Sequence, residues 1–290
     1  MKIIRKISEM QQYAETLRQH GKTIGFVPTM GFLHEGHLSL MRLARPRCDT
    51  LVVSIFVNPT QFGPNEDLDK YPRDFRRDEE LCRQEKVDVI FYPTAEEMYP
   101  QPYRTFVNVE KLTETMCGAS RPGHFRGVAT VVAKLFNIVK PHLAVFGQKD
   151  YQQAQVIRQM VHDLNFDVEI LTGPIVREPD GLAMSSRNKY LSAAQRKDAL
   201  VLRQSLQLAQ TIIRQGERNP AVLRERMEEL IESVPTSRID YIAIVDPETL
   251  EDVAAIGERT LIALAVFIGQ TRLIDNMVVE LTPTSSSVIT

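Results

Sequence analysis

Pro28-Thr29-Met30-Gly31-Phe32-Leu33-His34-Glu35-Gly36-His37 decides how this 290-residue chain folds. On its left lies the apolar run 24–27; on its right come Leu38, Met41 and Leu43 of a helical pattern, so the stretch joins a strand to a helix. In an open α/β sheet, ligands bind at the carboxyl ends of strands, and a helix N-terminus offers unpaired N–H groups to a phosphate. Gly31 and Gly36 let the backbone approach such a ligand closely. His34 and His37, three residues apart, project to one side and can donate hydrogen bonds to phosphate oxygens. The plain alternatives are turn glycines beside two exposed histidines, or half a metal site. His20, His124, His142 and His162 are scattered and complete no ligand set, which favours a nucleotide site over a metal site.

Outward from this joint, further short runs rich in Val, Ile, Leu and Phe stand at 51–57, 87–92, 143–146 and 168–171. They are apolar at nearly every position, as strands covered on both faces of a parallel sheet are. Helical stretches lie between them, among them a charged one with an apolar face at 75–84 and a largely apolar one at 128–139. This alternation predicts an α/β domain over residues 1–175, a doubly wound, Rossmann-like parallel sheet. The character changes near Gly173. Residues 175–188, with Pro179-Asp180-Gly181, read as a turn-containing loop or short hairpin. Helical patterns at 193–215 and 221–233 follow, then strand-like runs at 239–245 and 260–267. That order predicts a smaller α+β C-terminal domain over 176–290, with a frayed tail at 283–290.

Composition narrows the function. Lys and Arg number 35 against 37 Asp and Glu, a balance that argues against a nucleic-acid binder held by a basic surface. Cys48, Cys82 and Cys117 are odd in number and far apart, without C-x-x-C spacing, so neither a disulfide framework nor a thiolate metal site is expected. The N-terminal residues 1–6 lack the apolar core of a secretory signal, and no run reaches the roughly 18 apolar residues of a membrane span. A cytoplasmic protein is expected.

Three other segments stand at strand ends or in the inter-domain loop. In Phe146-Gly147-Gln148-Lys149-Asp150-Tyr151-Gln152-Gln153, Lys149 could neutralise charge developing on an α-phosphate. Asp150 sits where a carboxylate also makes a sensible N-cap, and Gln153, one turn on, could offer its amide to a substrate hydroxyl. Leu182-Ala183-Met184-Ser185-Ser186-Arg187-Asn188 sets two hydroxyls beside an arginine, a clamp for phosphate oxygens or an ordinary polar linker. Phe56-Val57-Asn58-Pro59-Thr60-Gln61-Phe62-Gly63 brings neutral amides suited to a hydroxy acid and an amine, although Asn58 could serve only its own turn. The stretch 118–127 has the look of a mobile substrate loop, with Arg121 and Arg126 able to meet anions. The charged run 66–74 reads as solvated, with Tyr71 able to reach a site.

The His-x-Gly-His turn resembles the signature of the nucleotidyltransferase superfamily. Taken in order, the motifs at 28–37, 56–62, 121–128, 147–153 and 184–188 are together similar to the pantothenate synthetase (pantoate–β-alanine ligase) family. The resemblance implies an ATP- and Mg²⁺-dependent ligase that activates pantoate as an acyl adenylate and then transfers it to β-alanine, releasing AMP and pyrophosphate. It implies ATP contacts by residues 30–37, residues 147–150, Val176 and residues 184–187. Gln61 and Gln153 would hold pantoate, Gln61 also lying close to β-alanine, and His37 would be the catalytic proton donor. Because pyrophosphate is already a good leaving group, the residues themselves point rather to His34, His37, Lys149 and Arg187 as electrostatic stabilisers. Asn58 and Arg121 complete the expected substrate set. A homodimer is the family expectation; the need to keep water from the mixed anhydride further predicts a C-terminal domain that moves over the ATP site, with 174–187 carrying the hinge and phosphate loop. A nucleotidyltransferase with a dinucleotide-like product would share the His-x-Gly-His turn without needing Gln61 and Gln153. A nucleotide sensor would not need Lys149.

Overall fold

The computed structural model describes residues 1–64 and 66–281, so the tail expected to fray at 283–290 lies outside the described residues. The chain divides into two compact units: Met1–Arg177 with Met184–Ser186, and Glu178–Ala183 with everything from Arg187 on. Among the described residues no helix is long and apolar enough to cross a membrane.

In chain order the first unit holds β1 (Lys2–Ile4), α1 (Ile7–Gln19), β2 (Ile24–Thr29), α2 (Glu35–Ala44), β3 (Thr50–Ile55), α3 (Phe75–Gln84) and β4 (Val89–Phe91). It continues through α4 (Ala95–Met98), α5 (Met116–Ser120), α6 (His124–Val139), β5 (Leu143–Gly147), α7 (Tyr151–Asp163) and β6 (Glu169–Gly173). The strands form one parallel sheet in the order β1-β4-β3-β2-β5-β6. Every residue of β3 is buried, as a strand covered on both faces requires. Leu51, Val53 and Ile55 alternate onto the face packed by Leu38 and Met41 of α2 and Cys82 of α3. The chain lays β3 and β4 to one side of β2, then crosses over to place β5 on the other. The switch point of this sheet therefore lies between β2 and β5, the two strands that end in the 28–37 and 147–153 motifs.

Several boundaries differ from those expected. β1 went unread because three residues give no period; it pairs in register Lys2↔Val89 to Ile4↔Phe91 at the sheet edge. Residues 118–127 are not one loop: α5 occupies part of them, and His124–Gly127 forms the first turn of α6. Of the two readings of 175–188, a turn-containing loop or a short hairpin, the chain forms the hairpin. Gly181 N–H donates to the Glu178 carbonyl at 2.8 Å, and Met184 N–H donates to that of Val176 at 3.0 Å.

Where α6 meets the turn Pro59–Gln61, Gly127 is needed for close approach. A Cβ there would stand 2.3 Å from the Thr60 carbonyl oxygen and 2.6 Å from Gln61 Cα. Gly127→Ala should cost about 1–3 kcal/mol of stability through overpacking against backbone. Urea denaturation checks it, and an unchanged midpoint would mean the turn has room to yield.

The second unit begins its regular structure with α8 (Ala193–Asp198), α9 (Val201–Arg214) and α10 (Pro220–Glu232). The single helix expected at 193–215 is thus two. The first is opened by a capping box between Ser192 and Gln195, and the break falls at Ala199-Leu200. An antiparallel sheet of β7 (Ser237–Val245), β8 (Arg259–Ile268) and β9 (Thr271–Glu280) completes the α+β unit. β9 is a strand the sequence reading did not name. The core of this unit is built by Leu202, Leu206, Ala209 and Ile213 of α9 and by Leu223, Met227 and Ile231 of α10. They pack on alternate residues Ile262, Leu264, Val266 and Ile268 of β8.

Candidate functional site

The 28–37 loop is shaped by its own backbone first. Gly31 has φ +77° and Phe32 φ +47°, two successive left-handed residues, the second without glycine's freedom. A Cβ on Gly31 would also lie 2.9 Å from Ile55 Cγ2. Thr29 Oγ1 accepts the Gly31 N–H at 3.1 Å and donates to the Ser54 carbonyl at 2.8 Å. Asp78 of α3 then accepts the N–H groups of Phe32 and Leu33, each at 2.7 Å. The Arg77 guanidinium donates to the Leu33 carbonyl at 2.7 Å and lies over the Phe32 ring. Neither Arg77 nor Asp78 was singled out from the sequence.

His34 caps α2. Its Nδ1 accepts the Gly36 N–H at 3.2 Å, while His37 Nδ1 accepts the His34 N–H at 3.3 Å. With Nδ1 an acceptor on both rings, the proton of each neutral imidazole sits on Nε2, and Nε2–H is the donor left to each. The rings stand 4.1 Å apart. Burial and then the nearby Lys149 ammonium push His34 down to about 4; burial, His34 and Lys149 push His37 well below the usual histidine range. Both are therefore neutral hydrogen-bond donors at pH 7. Glu35 faces Arg42, leaving its backbone rather than its carboxylate for any ligand.

Lys149 and Asp150 follow β5. The Lys149 ammonium lies 3.7 Å from the Asp150 carboxylate, which is half exposed. Asp150 holds the N-cap position of α7, yet its side chain makes no cap bond there, so the helix does not account for that carboxylate. Gln152 and Gln153 part company. Gln152 is buried and binds the Cys117 N–H and the carbonyls of Leu112 and Thr115, a structural brace. Gln153 is half-buried, and its side chain has no hydrogen-bond partner among the described residues.

On the other side of β2, Asn58 is 1% exposed and fully engaged. Its Oδ1 accepts from the Tyr99 hydroxyl at 2.7 Å and the Thr60 hydroxyl at 3.0 Å. Its Nδ2 donates to the Gly127 carbonyl and to Gln61 Oε1 at 3.0 Å. Asn58 thereby fixes which way the Gln61 amide faces. Gln61 Oε1 is held by Asn58, and its NH₂ is turned to Met30, 3.3 Å from the sulfur. The Arg121 guanidinium is clasped by Glu66, at 2.6 and 2.7 Å, and donates to His124 Nε2 at 3.1 Å; His124 Nδ1–H in turn donates to the Gln61 carbonyl at 2.9 Å. Arg126 lies over the Phe106 ring, and Tyr71 is buried.

Met184, Ser185 and Ser186 pack with the first unit. The Ser186 hydroxyl donates to the Phe32 carbonyl at 3.4 Å, and Met184 Cβ is 3.9 Å from where a Cβ on Gly36 would be. Val176 accepts the Met184 N–H. Arg187, the next residue along, belongs to the second unit. The structure thus gathers residues 30–37, 147–150, Val176 and 184–186 within one unit, at the switch point of the sheet, with Gln61 close to Met30.

A family model described as Pantoate-beta-alanine ligase matches residues 2–278. The pantothenate synthetase of Caldicellulosiruptor bescii is 59% identical over 280 residues, 97% of this chain and 99% of its own. That of Geobacter sulfurreducens is 59% identical over 278 residues, 96% and 98% of the two chains. Among solved structures, the pantothenate synthetase of Thermus thermophilus superposes with a TM-score of 0.90 at 47% identity, covering 96% of this chain and 99% of that one. The pantoate-beta-alanine ligase of Francisella tularensis, complexed with beta-gamma ATP and beta-alanine, gives 0.77 at 35% identity over 96% and 97%.

Proposed function

The chain belongs to the pantoate–beta-alanine ligase family and is an enzyme of that class, and from this premise we propose that it joins pantoate to β-alanine through a pantoyl adenylate. A pantoate carboxylate oxygen attacks the α-phosphorus of ATP, and the bond to pyrophosphate breaks. The β-alanine amine then attacks the activated acyl carbon, loses a proton, and expels AMP. The observation that carries this reading is the pair of neutral Nε2–H donors, His34 and His37, beside the Lys149 ammonium at the sheet's switch point. Such a set stabilises charge that moves onto phosphate oxygens in the transition state.

The Gln61 amide, its oxygen held by Asn58 and its NH₂ turned to Met30, and the unengaged Gln153 amide fit the oxygens of a hydroxy acid. Asn58 then acts through Gln61. Arg121, clasped by Glu66 and His124, serves the same wall of the site from behind. Arg187 is assigned to a phosphate because it follows Ser186 directly in the chain. Among the described residues no three or more His, Cys, Asp or Glu gather into a metal cage, which suits a Mg²⁺ carried mainly on phosphate oxygens. Asp150, with a half-exposed carboxylate that α7 leaves unused, is the protein oxygen that fits beside it. Bound there, the ion would neutralise charge on the triphosphate. The same family reading has the enzyme working as a cytoplasmic homodimer.

The test follows pyrophosphate and AMP release from Mg-ATP while pantoate and β-alanine are omitted in turn. Pyrophosphate release that needs pantoate, with turnover to AMP that needs both, is expected. ATP binding without stimulation by either compound would sink the ligase. A second measurement separates proton donation from hydrogen bonding at His37. Because its imidazole is neutral, His37→Gln should keep turnover within about tenfold, whereas His37→Ala loses about 10²-fold. Equal loss in both variants would restore the proton donor.

A further inference from the structure

We propose that Asp78 is a positioning residue for the nucleotide loop, with Arg77 as its companion, so that α3 holds residues 31–33 in the shape that presents His34 and His37. This deepens the proposed function and rests on it. The Asp78 side chain is only 1% exposed, and its two oxygens divide between adjacent backbone N–H groups, Oδ2 with Phe32 and Oδ1 with Leu33, both at 2.7 Å. A carboxylate held this way fixes two peptide planes at once. The planes it fixes follow the left-handed Gly31 and flank the left-handed Phe32, a conformation that a non-glycine residue keeps only when its surroundings impose it.

Packing secures only part of it: Leu33 is fully buried in the core and Gly31 lies against Ile55, while Phe32 is only half-buried. A cavity of about 250 Å³ opens beside the loop, its lining including Met30, Gly31, Phe32, Phe75, Asp78 and Tyr92. Beside that space the loop is held by polar anchors as well: the two bonds to Asp78, the Arg77 bond to the Leu33 carbonyl at 2.7 Å, and Thr29 at its entry. The next residue is His34, whose ring caps α2, so a shift of the Leu33 peptide carries directly into both imidazoles. Asp78 and Arg77 thus act through the loop rather than on a substrate.

Asp78→Asn keeps the shape of the side chain but turns a donor toward one of the two N–H groups. ATP affinity by calorimetry, with ATP alone, and KM for each substrate are compared with the wild-type chain. A rise of about tenfold in the ATP Kd and KM is expected, with KM for pantoate and β-alanine within about twofold. A cooperatively folded Asp78→Asn enzyme with wild-type ATP affinity would overturn the proposal. Should that variant not fold, Arg77→Ala decides: its guanidinium is about half exposed, and its loss frees the Leu33 carbonyl. About threefold weaker ATP binding supports the clamp, and unchanged binding overturns it. Wild-type protein that binds ATP but makes no amide would defeat the ligase reading alone, since the clamp is read from ATP affinity.

Discussion

Lys149→Ala is expected to slow adenylate formation by about 10²- to 10³-fold, the loss that follows removal of one preorganised group facing transition-state charge. The Lys149 side chain is 21% exposed, and its charge adds to burial, the main cause, in keeping His34 and His37 neutral. As pyrophosphate departs, negative charge grows on oxygens that this group would face, and solvent is a poor substitute in a partly desolvated site. ATP affinity should fall much less, because the Nε2–H donors and the backbone of the loop remain. Single-turnover release of pyrophosphate in the presence of pantoate measures it. A rate within about threefold of wild type would remove Lys149 from the chemistry. A second effect should appear in the same enzyme: without the ammonium, both imidazoles titrate closer to the ordinary histidine value.

The second large effect is a loss of stability between neutral and mildly acid pH. His34 and His124 are both lowered to about 4, each chiefly by burial, and His37 is lowered well below the usual range. Unfolded, all three take up a proton near pH 6.5; folded, His34 and His124 do so only near 4, and His37 only well below the usual range. The unfolded chain therefore binds more protons in that window, and stability must fall as pH drops from 6.5 toward 4. Discounted for partial exposure, the loss at pH 5 is on the order of 1–2 kcal/mol for each of His34 and His124, and His37 adds in the same direction. Asp78, whose carboxyl burial raises, opposes this by one group. Denaturation midpoints between pH 7 and 5 give the slope before carboxylates with lowered pKa values titrate. A flat profile would mean that these rings are solvated enough to charge in place. The chain of donors from Arg121 through His124 to the Gln61 carbonyl gives the fall a local consequence. A protonated His124 can no longer accept from Arg121.

The parts of the fold that were legible in the sequence are those with a period or a motif. The strand at 51–57 was visible because every position but Ser54 is apolar, and the helix at 75–84 because its bounds coincide with a charged stripe. β1 was not, since Lys2, Ile3 and Ile4 say nothing until β4 gives them a neighbour. The pantoate–beta-alanine ligase resemblance, carried by five ordered motifs, is borne out by the family match and by relatives of nearly full length. Residue roles were harder to read. Asn58 looked like a possible ligand or a turn residue, and its saturated hydrogen bonds depend on Tyr99 and Gly127, far off in sequence. Asp150 looked like a cap and makes no cap bond. Asp78 did leave a sign. Phe75, Asp78, Leu81 and Cys82 share one helical face, and an acid on an otherwise apolar stripe needs donors from elsewhere.

The hydroxyls of the 184–187 motif pack with one unit and its arginine belongs to the other, the boundary falling between Ser186 and Arg187. The first unit is consequently not heritable as one unbroken stretch of gene. A recombination point after residue 175 would give a fragment lacking Ser186 against Phe32 and Met184 on Val176, while a junction after 186 would drag along 178–183, which belong elsewhere. Neither half can be exchanged cleanly for a relative's. Swaps between members of this family should succeed as whole chains, or at loop tips, rather than as interchangeable modules.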